Sequence, residues 1–206
     1  YSELLDESEG ALWKREWIEG GRVAKAPDLV RIVVGIDPAV SSGDESAETG
    51  IIVSGWDARD HLYVLDDQSG RMSPSTWGTR AIDTYARWRA DRIVAEVNQG
   101  GDLVEANIRQ ARGSNGEDGK NVSYRAVTAT HGKYTRAEPV AALYEQGRAH
   151  HAGVFSELED QMCTWEPGAK SPDRIDACVW AATDLMENTS QLAGMSDLDR
   201  GRQYDV

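Results

Sequence analysis

The run Leu29-Val30-Arg31-Ile32-Val33-Val34-Gly35-Ile36 constrains this chain more than any other segment. It is too short and too rich in β-branched residues for a helix, so it reads as a buried strand ending at Asp37-Pro38. Residues 50–56 and 61–67 read as two more strands. A loop rich in Ser, Gly and acids (39–48) and a turn at 57–60 join them, and connections this short imply an antiparallel meander.

The hydrophobic period then changes. Ser73-Pro74 is a helix start, and Trp77, Ala81, Tyr85 and Trp88 recur on one helical face. A strand over 91–96 follows, then a turn (Asn98-Gln99-Gly100-Gly101), a helix over 102–112, a polar loop and a strand over 122–127. Helices are expected over 136–147, from the capping pattern Ser156-Glu157-Leu158-Glu159, and over 173–187, where Ile175, Val179, Ala182 and Met186 form a stripe. A short extended piece fits within 150–155. Residues 1–28 read as an acidic, mainly helical lead-in. Leu12, Trp13, Trp17 and Ile18 give it an apolar stripe that packs on this domain or on an upstream part, and Gly20-Gly21 stops it. Residues 189–206 are polar and read as a disordered tail. The main domain is thus 29–188. Its expected class is α/β, a mixed five-stranded sheet of three antiparallel and two parallel strands with helices on both faces.

Composition removes several function classes. No stretch approaches the roughly 20 apolar residues of a bilayer span. Cys163 and Cys178 fall in no metal-ligand spacing, which leaves a zinc or disulfide framework without support. The first residues carry no signal peptide and no initiator Met, so the sequence reads as a domain cut from a longer chain. The net charge of −13 makes a poor stand-alone binder of nucleic acid but suits a protein that concentrates divalent cations.

Three acids share one kind of position. Asp37 ends the first strand, Glu96 ends the fourth, and Asp176 lies in the first turn of the last helix, one step after Asp173. Ligands of open α/β sheets bind beyond the carboxyl ends of strands, so Asp37 and Glu96 point into one crevice if their strands are neighbours. Converging carboxylates repel, and hard, oxygen-loving cations such as Mg²⁺ or Mn²⁺ relieve that cost. Two such ions about 4 Å apart suit phosphodiester hydrolysis. The plainer alternative is that each acid is a turn former or a helix cap, Asp173 above all.

Four segments carry a family resemblance. Val34-Gly35-Ile36-Asp37-Pro38-Ala39, with an acidic loop ending Glu48-Thr49-Gly50-Ile51, resembles the first nuclease motif of phage large terminases. Ala95-Glu96-Val97-Asn98-Gln99-Gly100-Gly101 resembles the second, and Ser171-Pro172-Asp173-Arg174-Ile175-Asp176-Ala177 the third. The segment from Lys133 to Arg148 resembles the family between motifs two and three, and Gly10-Ala11-Leu12-Trp13 resembles the linker that follows its ATPase domain. The likeness covers nearly the whole chain to Glu187 and is nearest to large terminases of tailed phages and phage-like gene transfer agents.

That resemblance implies a ribonuclease H-like fold and a Mg²⁺- or Mn²⁺-dependent endonuclease that cuts concatemeric double-stranded DNA during genome packaging. It makes Asp37, Glu96 and Asp176 the metal-binding, catalytic triad. Asp37 would bridge two ions, with Glu96 on the leaving-group side and Asp176 on the water side. Asp173, Asp44 and Glu48 are possible further ligands, the acidic loop being longer than the family's pattern. DNA phosphate contacts are expected from Lys133, Arg136, Arg148, Lys170 and Arg174. His131 and the His150-His151 pair read as loop residues, and Trp165 as core. With no phosphate-loop motif present, the implied partners are an upstream ATPase domain of the same polypeptide, a portal and a small terminase subunit, at work in the cytoplasm of a bacterial host. The rivals are a ribonuclease H-like junction resolvase or transposase, a non-catalytic DNA-docking module, and an actin-like nucleotide-binding half, which would need glycine-rich phosphate loops.

Overall fold

A computed structural model describes residues 7–38, 48–97, 101–114, 121–130 and 132–200. Asp44, His131 and the turn at 98–100 lie outside the described residues. The strands are β1 (Leu29–Asp37), β2 (Glu48–Asp57), β3 (Leu62–Asp67), β4 (Gly70–Arg71), β5 (Arg92–Glu96), β6 (Tyr124–Val127) and β7 (Ala149–His151). The helices are α1 (Arg15–Gly20), α2 (Pro74–Trp88), α3 (Gly101–Ser114), α4 (Lys133–Glu145), α5 (Ser156–Thr164) and α6 (Asp173–Arg200).

The sheet order is β6-β5-β1-β2-β3-β7, and the short β4 pairs with β2. β1, β2 and β3 form the expected antiparallel meander, and β5 and β6 join β1 as parallel strands. The sheet exceeds the expected five strands by β4 and by β7, which adds in parallel to β3. Two- and three-residue strands are too short to show alternation, so sequence could locate β7 only as an extended piece. All strands on the main path except β2 run the same way, so the carboxyl ends of β1, β3, β5 and β6 share one edge.

Alternation along the strands sorts two cores. Val34, Ile36, Ile51, Val53, Ile93 and Ala95 pack with Trp77, Ala81, Ile82, Val104 and Ile108 of α2 and α3. Val33, Ile52, Val64 and Val94 point the other way, toward α1, α4, α5 and α6. Asp37 follows Val33 by two pairs of residues, and Glu96 follows Val94 by one. Both therefore lie on the α6 face.

α6 is buried on nearly all sides from Arg174 to Ala182. The stripe of Ile175 and Val179 describes one side; the side against the sheet carries the small residues Ala177 and Ala181. A Cβ on Gly35 would strike the Ala177 carbonyl and the Ala181 side chain, and one on Gly50 would strike the Asp173 carbonyl. These two glycines let the helix lie directly on β1 and β2. Ion pairs anchor it along its length. Arg174 meets Glu48, Asp67 and Glu157, and buried Asp184 takes Arg92 at 3.0 Å and Arg125 at 2.8 Å. The helix runs on to Arg200, beyond the expected end at Glu187. The sequence there is mainly polar, but Leu192, Met195 and Leu198 recur at helical spacing.

The lead-in helix is shorter than expected, six residues, yet its apolar side chains join the main core. Trp13 and Ile18 are buried, and the Trp13 ring lies 6.1 Å from that of Trp165. Arg15 pairs with Asp160 at 2.8 Å, and Arg22 takes both oxygens of Glu159. Burial works against charge on Glu159, but His151, Arg22 and the Phe155 N–H hold its carboxyl well below the usual range. That carboxylate, not Ser156, serves the start of α5: the cap position is Phe155, whose N–H donates to Glu159 at 3.1 Å.

Gly35→Ala and Gly50→Ala are each expected to cost about 1–3 kcal/mol of stability, because the obstruction is helix backbone that cannot rotate away. Denaturant unfolding measures this, and an unchanged midpoint would show that α6 does not sit where described.

Candidate active site

The β1–β5 register pairs Ile36 with Ala95, so Asp37 and Glu96 occupy the next position on adjacent parallel strands. On the other side Asp37 pairs with Gly50 of β2. Gly50 is the residue against which the first turn of α6 rests, so the same close approach that seats the helix delivers Asp173 and Asp176 to the end of β1. Pro172 O accepts from Asp176 N at 3.2 Å, so Asp173 is already inside the first turn rather than its cap.

The electrostatics register this convergence. Burial, then the charges of Asp176, Glu96 and Asp173, push the Asp37 carboxyl up to about 8, against the opposing pull of Lys133. Burial likewise pushes Asp173 up to about 6; Lys170 and Lys133 oppose the rise, and Glu48 and Asp176 add to it. Among the described residues no three His, Cys, Asp or Glu side chains stand close enough to close a metal shell. Two of the acids instead hold side-chain cations. Lys133 Nζ donates to Asp176 Oδ2, and Arg136 Nη1 lies 3.4 Å from Glu96 Oε2. Burial disfavours the charge on Lys133, but Asp176, Asp37 and Glu96 outweigh it and raise its pKa. Glu96 Oε2 also accepts from Trp180 Nε1 at 2.6 Å, and the Arg136 guanidinium lies over the Trp180 ring, 4.2 Å from its centre.

The other expected residues divide. Lys170 is exposed and acts on Asp173 from the rim. Glu48 is drawn to Arg174 and Gln161. Arg174 is buried, and three carboxylates take its guanidinium, which makes it a strut of α6 rather than a surface cation. Arg148 lies at the opposite end of the sheet, where Leu62 N donates to its carbonyl and its Nη2 donates to Asp60 O. Trp165 is core, as expected. His150 and His151 lie in β7, not a loop: His150 stacks on His61 and Tyr63, and His151 is buried against Tyr144 and Glu159. Trp180 is the site residue that sequence reasoning missed. Its signal was the spacing Asp173, Asp176, Trp180, which sets all three on one helical face.

The chain belongs to the family of terminase RNaseH-like domains, whose model matches residues 34–185. Its fold is ribonuclease H-like. The nuclease domain of the large terminase subunit gp2 of bacterial virus Sf6 superposes with a TM-score of 0.60 at 14% identity, covering 84% of this chain and 98% of that one. The large terminase nuclease of thermophilic phage G20c gives 0.53 at 14%, covering 78% and 84%. The yeast mitochondrial Holliday junction resolvase Ydc2 gives 0.55 at 9%, covering 92% and 89%. None of the curated proteins matches this chain. Among the described residues no helix is long and apolar enough to cross a membrane.

Asp37 keeps its proton to higher pH in the folded chain than in the unfolded one. Its contribution to stability is complete below the ordinary carboxylate range and is lost as pH rises through about 8. The melting temperature of metal-free protein is therefore expected to fall between pH 5 and 8. Asp37→Asn should flatten that slope and raise the midpoint at pH 8 by a few degrees, about 2–4 °C for each kcal/mol regained. A slope that survives the substitution would place the strain elsewhere.

Proposed function

We propose that this domain is a metal-dependent DNA endonuclease of the terminase type. The observation that carries the reading is the approach of Glu96, from the neighbouring parallel strand, and of Asp176, from α6, to Asp37 at the carboxyl edge of the sheet, where the charge of each raises the pKa of Asp37. A site rich in carboxylate oxygens, with no Cys or His among the groups that converge on Asp37, fits hard divalent cations, Mg²⁺ or Mn²⁺, once the Lys133 ammonium gives way. Asp37, Glu96 and Asp176 would hold two of them, with Asp173 the nearest candidate for a further ligand. Once bound, such ions polarise the phosphate and stabilise the attacking and leaving oxygens.

The chain's own residues prepare that site. Trp180 and Arg136 fix the direction of Glu96, and the packing of α6 fixes Asp176. Lys133, Arg136 and exposed Lys170 offer positive charge to a DNA backbone around the acids, and contacts of that kind are blind to sequence. Lys133 also supplies a tethered charge that quiets Asp176 before any ion arrives. The overall acidity of the chain suits a domain that receives DNA from a motor rather than capturing it alone. The proposed setting is genome packaging in a bacterial host, with double-stranded DNA handed over by an upstream ATPase domain, a portal and a small terminase subunit.

With Mn²⁺, Asp37→Asn is expected to abolish nicking of supercoiled plasmid while the protein still unfolds cooperatively; full nicking by that variant would remove the triad. Four-way junctions run beside linear duplex test the resolvase reading, which strong junction preference would favour. Lys133→Ala should bind Mn²⁺ more tightly by calorimetry, roughly fivefold for the loss of about 1 kcal/mol of competing charge at a half-exposed position. An unchanged or weaker affinity would show that the ammonium does not compete for the site.

A further inference from the structure

Beside Glu96 a cavity of about 510 Å³ opens between the end of β6, the first half of α4 and the middle of α6. That volume falls within the roughly 300–1,000 Å³ range of small-molecule sites. Two of its lining residues, Arg136 and Trp180, are the ones that bond Glu96, so the cavity shares a wall with the acidic site. Arg136 is unusual. Its side chain is only 9% exposed, one face lies on Trp180 and one end reaches Glu96, yet its Nε–H is buried and meets no acceptor among the described residues. A buried donor of that kind is costly to leave unmet. The remaining walls include hydroxyls, from Thr128, Thr135 and Thr183, the apolar ring of Pro139 and, at the far side, Glu187, whose carboxylate is paired with Arg125 at 3.2 Å. A guanidinium wanting an acceptor, hydroxyl groups and an apolar wall together match a phosphate joined to a sugar and base.

We infer that this cavity takes one nucleotide of the DNA strand being cut, with a backbone phosphate against the Arg136 guanidinium and the sugar and base against Pro139 and Trp180. The inference rests on the nuclease reading and adds to it. A nucleotide seated there has left its stack in the duplex, so cutting should favour positions where the duplex opens readily, such as a mismatch.

The test uses the full chain and duplexes that carry 2-aminopurine, whose fluorescence rises when it unstacks. With Ca²⁺ in place of Mn²⁺, fluorescence should rise on binding. With Mn²⁺, a mismatched duplex should be cut about tenfold faster than a matched one, the scale of one base's stacking. Thr183→Phe fills the cavity from α6 and should abolish both effects. Thr135→Phe, at an exposed position on α4, should do the same and serves if the first variant melts early. Displacement of the signal by unlabelled duplex assigns the cavity to a DNA strand; displacement by free deoxyadenosine monophosphate alone would overturn that assignment. If wild type cuts and both filled variants cut with the same mismatch preference, the nuclease reading stands and the cavity proposal falls. If wild type cuts nothing, the nuclease reading itself has failed.

Discussion

The structure depends on one close approach, that of a helix laid on two glycines. Gly35 and Gly50 remove the side chains that would otherwise hold α6 away from the sheet, and Ala177 and Ala181 reciprocate from the helix. The contact drives acidic groups of separate elements into a small, partly dry volume. Like charges in such a place destabilise the fold, so the approach must be held by something else. It is held by apolar burial along α6 and by the arginines that bind Asp184 and the carboxylates that bind Arg174. Strain of this sort is common where a protein keeps a site ready for a ligand of opposite charge.

Much of this was legible in the sequence. The β-branched run at 29–36 and its two successors gave the meander, and the switch to helical periodicity gave the parallel additions. The strand-end positions of Asp37 and Glu96 were readable from the same pattern. Their meeting follows from adjacent strands whose paired residues, Ile36 and Ala95, stand one step before them. Asp176 was readable from its place in a helix start.

What was not legible is instructive. Arg174 and Arg148 look alike on paper, but one is buried among three acids and the other lies at the far end of the sheet. A cation's partners come from tertiary packing, which no local spacing encodes. Ser156 and Glu159 resemble a capping pair, yet Glu159 is committed to Arg22 and His151 in a buried network that draws on three separate segments. In the sequence Trp180 is simply one more apolar residue of a helix. Only the arrival of Glu96 from β5 turns its indole N–H into a positioning group. The glycines, too, could be seen but not interpreted until the helix they admit was in place.

The lead-in has a mechanical meaning beyond its packing. Trp13 is wedged against Trp165, while Arg15 and Arg22 grip neighbouring acids of one short helix, Asp160 and Glu159. A segment gripped at three points along its length is fixed to the domain and does not swivel. The lead-in is thereby joined to α5, and α5 in turn, through Glu157 and Arg174, to the helix that carries Asp176.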